Sequence, residues 1–391
     1  MTLTLPPELV DEILIHLQHD KQALQNCSLV AKSWTYSSQK HLFTDISITT
    51  STYRKWREIT SPTSAELLQH AHSLICYQSQ SLHDFHEDYF KSFHRLQFLS
   101  LERIHDIDPD AVNLFPAFQN SLSSLSLFRV SLALDALIKL PGYFPNLRKL
   151  YLNELTFCAE HRTTPPPSIP PRGKLSLSTF SAKNADILLR SLCEPELEYD
   201  ELYIYEVHGN ISHIHSVVSA CRKTLTHLKF GPRDCKFQRS VTASWVLSEY
   251  CLASSAIHTL ENLSELCELT FIPSFLLPEE VSLISTITST NIQKVFFKPF
   301  LMRDLGDRFQ PSLDTELSGL VDRLRALGYK HTLELEFRHT RSFAEKVLGA
   351  GPNWFFPKFR EKGRVIVSEN SSGRMLYCSD ASIESDLDSE D

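Results

Sequence analysis

Leu96-Gln97-Phe98-Leu99-Ser100-Leu101-Glu102-Arg103-Ile104 returns with the same spacing of apolar residues as Leu122-Ser123-Ser124-Leu125-Ser126-Leu127-Phe128-Arg129-Val130. It returns again as Leu147-Arg148-Lys149-Leu150-Tyr151-Leu152-Asn153-Glu154-Leu155. The unit is apolar-x-x-apolar-x-apolar, with another apolar residue three places on. Its centre alternates with period two, so it predicts a short strand with one buried face. Weaker copies follow at Leu175/Leu177/Phe180, Tyr199/Leu202/Ile204/Val207, Leu225/Leu228/Phe230, Leu266/Leu269/Phe271 and Ile292/Val295/Phe297/Phe300. Ala71/Leu74/Cys76 and Phe43/Ile46/Ile48 extend the series backwards. With the fourth position as marker, the units fall at 46, 74, 99, 125, 150, 175, 202, 228, 269 and 295. A chain this rich in leucine yields any one match by chance, but not ten in mostly regular register.

The segments between the units, such as Ile211 to Cys221 and Glu279 to Thr290, read as helix or loop. Strand, turn and return every 25 or so residues is similar to the rhythm of leucine-rich-repeat proteins. That resemblance implies an α/β solenoid, or horseshoe, in which stacked units share one continuous core. Where the family usually carries asparagine after its L-x-L, this chain has Ile104, Val130 and Leu155, so no asparagine ladder is expected. The long step from 228 to 269 predicts an insertion at 231–260 with a helix from Thr242 to Ile257. Beyond 300 the rhythm fades. Leu313 to Leu327 reads as a helix, and Leu333 to Phe337 with Val365 to Val367 as a closing strand pair. Residues 163–173, with five prolines, predict an extended loop. Residues 379–391, almost all Ser, Asp and Glu, predict a disordered acidic tail in which Ser382, Ser385 and Ser389 are phosphorylation candidates.

Residues 1–43 differ in kind. Pro6 and Pro7 suit the first turn of a helix, and Leu9, Val10, Ile13, Leu14 and Leu17 recur at helical spacing. Asp20 is a candidate cap for a second helix with Ala23, Leu24 and Cys27, and Ser28 for a third with Ala31, Trp34 and Leu42. So small a unit needs a partner, or the rest of the chain, to cover its apolar surface. Leu5-Pro6-x-Glu8-Leu9, Ile13-Leu14, Leu29-Val30 and Ser33-Trp34 in that order resemble an F-box. The resemblance implies docking on a Skp-family adaptor and, through it, a cullin-RING scaffold. It implies that Leu5, Pro6, Leu9 and Ile13 face the adaptor, with Val30 and Trp34 in the module's own core or at the adaptor seam. The expected organisation is an F-box at 1–43, a repeat body at 44–378 and the tail at 379–391.

Composition is that of an ordinary soluble chain of 391 residues, 42% hydrophobic and 22% charged. The net charge is −8, and the last twelve residues hold six acids and no base, which leaves the body near −2. That is no footprint for nucleic acid or an anionic membrane. No apolar run reaches the length of a membrane span, and the N-terminus lacks the basic start of a secretory signal. Nine scattered cysteines without a C-x-x-C fit reduced thiols in cytoplasm or nucleus. The Asn-x-Ser matches at Asn26, Asn210, Asn262 and Asn370 then carry no glycan.

No nucleophile elbow, phosphate-binding loop, dinucleotide fingerprint or zinc-protease motif occurs. His83-Asp84-Phe85-His86-Glu87-Asp88 is the densest group of metal-ligand residues, but no second half-site is spaced to complete it. His70/His72 and His213/His215 have no matched partners. No catalytic residue, metal or cofactor is expected. In each unit the residues between the inward ones point to the other face. Among them are Phe128, Tyr151, Tyr203, Tyr205, Phe296 and Lys298, candidates to hold a protein substrate. Cover by helices or by the C-terminal segment is the competing account of those aromatics. The resemblance therefore implies the substrate-recognition subunit of an SCF-type ubiquitin ligase. The alternative is a repeat scaffold acting outside ubiquitin transfer, and a third reading is an enzyme with an unrecognised site.

Overall fold

The computed structural model describes residues 5–18, 20–49, 51–52, 66–79, 90–105, 107, 109–157, 173–180, 184, 187–189, 198–207, 211–230, 260–274, 283–299, 311–339, 356–369 and 375–379. It is an α/β protein dominated by parallel strands, in two compact units, Met1–Pro171 and Arg172–Asp391. The anticipated insertion helix, the proline-rich stretch before Gly173, the His83–Asp88 cluster and the tail beyond Ser379 lie outside the described residues.

The first unit opens with three helices, α1 (Pro7–Ile15), α2 (Lys21–Val30) and α3 (Lys32–Leu42). Pro7 occupies the first helical position, where no N–H is needed. Asp20 caps α2 as anticipated: its Oδ1 accepts from the Ala23 N–H at 2.9 Å. Ser28 does not cap α3. It lies inside α2 with its hydroxyl donating to the Gln25 carbonyl, and α3 starts from Ala31 in extended conformation. The helix break is made by backbone geometry rather than by a side-chain cap.

The strands β1 (Asp45–Thr49), β2 (Ser73–Ser79), β3 (Phe98–Ile104), β4 (Ser124–Phe128) and β6 (Lys149–Asn153) follow. They pair in sequence order, all parallel. The register is the one the repeat predicts: Ile46 faces Leu74, Leu74 faces Leu99, Leu99 faces Leu125 and Leu125 faces Leu150. Short strands β5 (Ser131–Leu132) and β7 (Thr156–Phe157) make a second small pair. Helix α4 (Leu134–Tyr143) and two 3-10 turns, Pro109–Leu114 and Pro116–Phe118, fill the returns.

β2, β3, β4 and β6 each leave through a residue in the left-handed region: Gln78, Arg103, Arg129 and Glu154, with φ between 51° and 56°. All four stand four places after their markers. That corner turns the next residue inward, so Ile104, Val130 and Leu155 are buried. Ties between neighbouring returns are made on the other side of the strands. Ser121 donates to the Leu96 carbonyl at 2.8 Å and Asn146 to the Asn120 carbonyl at 2.7 Å. Behind the sheet sits a cluster of phenylalanines that the leucine pattern did not announce. Phe90, Phe115, Phe118 and Phe144 are fully buried or nearly so, with ring centroids 5.2–6.3 Å apart.

The second unit carries β8 (Gly173–Phe180), β9 (Tyr199–Val207), β10 (His227–Phe230), β11 (Glu268–Ser274), β12 (Lys294–Pro299), β13 (Glu334–His339), β14 (Arg364–Glu369) and β15 (Met375–Ser379). Leu175, Leu202, Leu228, Leu269 and Val295 pair in turn, and the ladder continues through Leu335 to Val365. The rhythm therefore persists past 300 in register, although its spacing in sequence stretches. The expected closing pair, β13 and β14, is parallel, and β15 adds antiparallel beyond it. Helices α5 (Ile211–Ala220) and α6 (Pro311–Ala326) fall where the pattern places them. Of the return from Glu279 to Thr290, only 283–285 is helical among the described residues. The same polar ties recur here: Thr224 donates to the Tyr199 carbonyl and Ser289 to the Leu266 carbonyl, each at 2.8 Å. A short helix α7 (Pro357–Arg360) is capped from a distance: the buried Asp314 carboxylate accepts the N–H groups of Lys358 and Phe359 at 2.9 and 2.8 Å.

Candidate docking surfaces

The helical module buries little. Its core is Val10, Leu14 and Leu24, with Leu17, Cys27, Trp34 and Leu42 packed partly buried around them. Helical spacing explains the choice, since Val10 and Leu14 share one stripe of α1. The other apolar side chains remain outside: Leu5 is 46% exposed, Leu9 45%, Ile13 41%, Ile15 51%, Leu29 84% and Val30 70%. Of the six residues assigned to adaptor docking, Leu5, Pro6, Leu9, Ile13 and Val30 are exposed, while Trp34 belongs with the core cluster. Leu29 and Ile15 were not assigned to docking from sequence, although Leu29 stands in the motif. The signal for Leu29 was present, because it follows Leu24 by five places and so falls off the buried stripe.

Among the described residues, contacts at Asp45, Thr44 and His70 join the module to the rest of its own unit. The Lys21 ammonium donates to the Asp45 carbonyl at 3.5 Å, the Thr44 hydroxyl donates to the Lys40 carbonyl, and Tyr36 Oη lies 3.0 Å from His70 Nε2. Within it, Lys40 and Asp11 form an ion pair at 3.4 Å. Burial holds the His41 imidazole below its usual range, against the opposing pull of Asp11. Burial, with Lys40 and Arg95 nearby, does the same to His70. Burial alone would raise the Asp11 carboxyl, but hydrogen bonds from Ser37 and Lys40 and the nearby charge bring it lower overall.

The strand face opposite the markers divides. In the first unit Phe128 and Tyr151 are half-buried, with the Arg129 guanidinium 5.1 Å from the Phe128 ring centre. Arg129 also reaches Glu154 of the next corner in a two-pronged ion pair. In the second unit Tyr203 and Tyr205 meet edge to face at 6.1 Å. The Lys174 ammonium sits 3.8 Å from the Tyr203 ring centre, and that of Lys229 sits 5.2 Å from Tyr203 and 6.0 Å from Tyr205. Phe296 continues the row but is only 8% exposed, between Thr270 and Glu336, which are also buried. It is a packing residue rather than an open anchor. Lys298 lies on β12, and its side chain is outside the described residues. The structure thus brings Tyr203 and Tyr205 together with lysines and sets Phe296 apart.

At the start of β10 to β13 an open cleft of about 350 Å³ is lined by His227, Cys267, Glu268, Lys294, His331 and Glu334, among others. Burial, and then Glu265, push the Cys267 thiol up, which keeps it protonated and a poor nucleophile. Among the described residues no three His, Cys, Asp or Glu side chains converge as metal ligands, and no helix is long and apolar enough to cross a membrane. No protein-family model matches the chain, and no curated protein matches it.

Proposed function

We propose that this chain is the substrate-recognition subunit of an SCF-type ubiquitin ligase. In this reading α1–α3 are an F-box that docks on a Skp-family adaptor and, through it, on a cullin-RING scaffold. The strand ladder is a leucine-rich-repeat-like solenoid whose open face holds a protein substrate. The chain catalyses nothing itself; it holds the substrate near the ubiquitin-loaded enzyme and raises its effective concentration. Its place of action is the cytoplasm or nucleus.

The observation that carries the reading is the exposed apolar set Leu5, Leu9, Ile13, Leu29 and Val30 on a module whose buried core is three side chains. Covering one such side chain fully is worth about 1.5–3 kcal/mol, so an adaptor that buries this set gains the energy the module forgoes. The register of the ladder supports the second half, because stacked parallel units give a long face with one row per strand position.

The test is co-purification with a Skp-family adaptor and a cullin, comparing wild type with Leu9→Glu/Val30→Glu. Loss of both partners with an unchanged circular dichroism spectrum is the expected result. Adaptor without cullin on the wild type gives the scaffold reading instead. No adaptor on the wild type defeats the F-box assignment.

A further inference from the structure

One row of polar side chains runs across the second unit. Glu201, His227, Glu268, Lys294, Glu334 and Arg364 pair in register on the successive parallel strands β9 to β14. Each stands one place before a buried marker, so together they lie on the face opposite the markers. Acid and base alternate along the row, and two of its three carboxylates are matched. Glu201 has Lys174 at 3.8 Å, and Glu334 has the Arg364 guanidinium at 2.9 Å. Lys294 is matched off the row, by the buried Glu336. Glu268 is left over. Its in-register neighbours are His227 and Lys294, yet among the described residues it forms an ion pair with neither. Its side-chain contact is the Thr270 hydroxyl, which donates to Oε1 at 3.2 Å.

The same carboxylate lines the open cleft of about 350 Å³. Around it stand His227, Gln293, His331 and Thr332. The Thr226 hydroxyl lies 2.8 Å from Nδ1 of His227, which leaves Nε2 for a ligand. His331 is steadied edge to face by Tyr329, with ring centres 5.8 Å apart. The Cys267 thiol stays protonated and donates to the Glu265 carbonyl at 3.3 Å. Lys294 and Glu334, the other charged groups of the lining, are committed to Glu336 and Arg364. The cleft therefore offers one unmatched carboxylate, set among acceptors and imidazole rings. Among the described residues no three such side chains converge as metal ligands, which favours an organic cation over a metal ion. A guanidinium fits best. It is planar, holds several N–H donors at fixed angles for carboxylate oxygens, and stacks on aromatic faces. An ammonium is a compact, strongly hydrated charge and would make no use of the rings.

We propose that this cleft takes an arginine side chain of a protein partner, with the guanidinium on Glu268 and beside the His227 and His331 rings. An open cleft admits a side chain while the backbone that carries it stays outside. The assignment stands without the ligase reading. If that reading also holds, it gives the class of substrate: a segment that presents an arginine.

The experiment is an NMR titration of the full chain, labelled with 13C at histidine Cε1. The probes are acetyl-Gly-Ser-Arg-Ser-Gly-amide and the same peptide with citrulline or lysine in place of arginine. One side chain binds weakly, so affinity in the millimolar range is expected. The His227 and His331 signals should follow one saturation curve while the other histidines stay in place. Citrulline keeps the shape of arginine without its charge and should bind about tenfold more weakly. Lysine should bind about threefold more weakly. Glu268→Gln should lower affinity for the arginine peptide about tenfold, whereas Glu316→Gln, at an exposed position of α6, should leave it unchanged. Gln293→Arg brings a guanidinium to the same carboxylate from an exposed position and should block the peptide, which keeps the test valid if Glu268→Gln disturbs the fold. Four results overturn the proposal: no movement at His227 and His331, equal movement of all histidines, citrulline or lysine binding as tightly as arginine, or equal loss in Glu268→Gln and Glu316→Gln. None of these outcomes touches adaptor binding, which is read separately.

Discussion

The three-helix module and the strand ladder that follows it use the same residue types in opposite ways. Between Leu74 and Leu155 the ladder puts nearly every leucine of its pattern at or near zero exposure. The module, in 36 residues from Pro7 to Leu42, buries three apolar side chains fully and leaves twice that number out. The first arrangement completes its own core. The second is marginal by itself, because short helices draw most of their stability from a packed apolar face. The difference separates apolar residues that the fold buries from apolar residues that it leaves exposed.

That division is most severely tested at the phenylalanine cluster. Phe118→Ala should cost about 3–5 kcal/mol, since it removes a ring stacked on Phe144 and leaves a cavity against Phe115. Chemical denaturation should show the ladder losing its cooperative transition. A smaller local loss is expected from Leu24→Ala, about 2–3 kcal/mol. Hydrogen exchange should then speed up across 7–42 while β2–β6 keep their protection, and equal loss in both would mean the module is not a separate cooperative piece. Leu29→Asp should change stability by no more than about 0.5 kcal/mol, as for other surface positions, yet weaken adaptor binding at least tenfold. A drop in melting temperature of several degrees would instead place Leu29 in the fold.

The least effect is on acidification. His41 and His70 are held below the ordinary histidine range in the folded chain. The unfolded chain therefore binds more protons between their folded pKa values and about 6.5, so stability falls as pH drops through that window. Asp11, also lowered, adds a loss of the same sign at more acid pH. Amide exchange in α1–α3 should rise modestly from pH 7.5 to 5.5 after correction for intrinsic rates, and an unchanged or reversed trend would remove the two histidines from the account.

Much of the ladder was legible because alternation and a fixed step are both written in apolar residues. The markers Leu99, Leu125 and Leu150 could be read as ladder partners without coordinates, and they are. The continuation through Leu335 and Val365 was harder to see, because returns of changing length carry the chain between strands that still pair in register. The phenylalanine cluster was invisible for a similar reason: Phe90, Phe115 and Phe144 sit in returns of irregular form, where no period marks them. Asp314 capping a helix 43 residues away is a tertiary contact with no local signature. On the candidate surfaces, alternation located Tyr203 and Tyr205. It could not tell that Phe296, on the same row, is covered.

The four left-handed corners have a practical consequence. Gln78, Arg103, Arg129 and Glu154 follow adjacent strands at one common place, so their Cα atoms should form a comb with a pitch of about 4.8 Å. None is a glycine, and each pays a small conformational cost that glycine or asparagine would relieve. A protein engineer could therefore treat these positions as mounting points. Asn and Gly are tolerated, Val and Ile are forbidden, and a chosen series of side chains would stand in line along one edge without disturbing the leucines beneath.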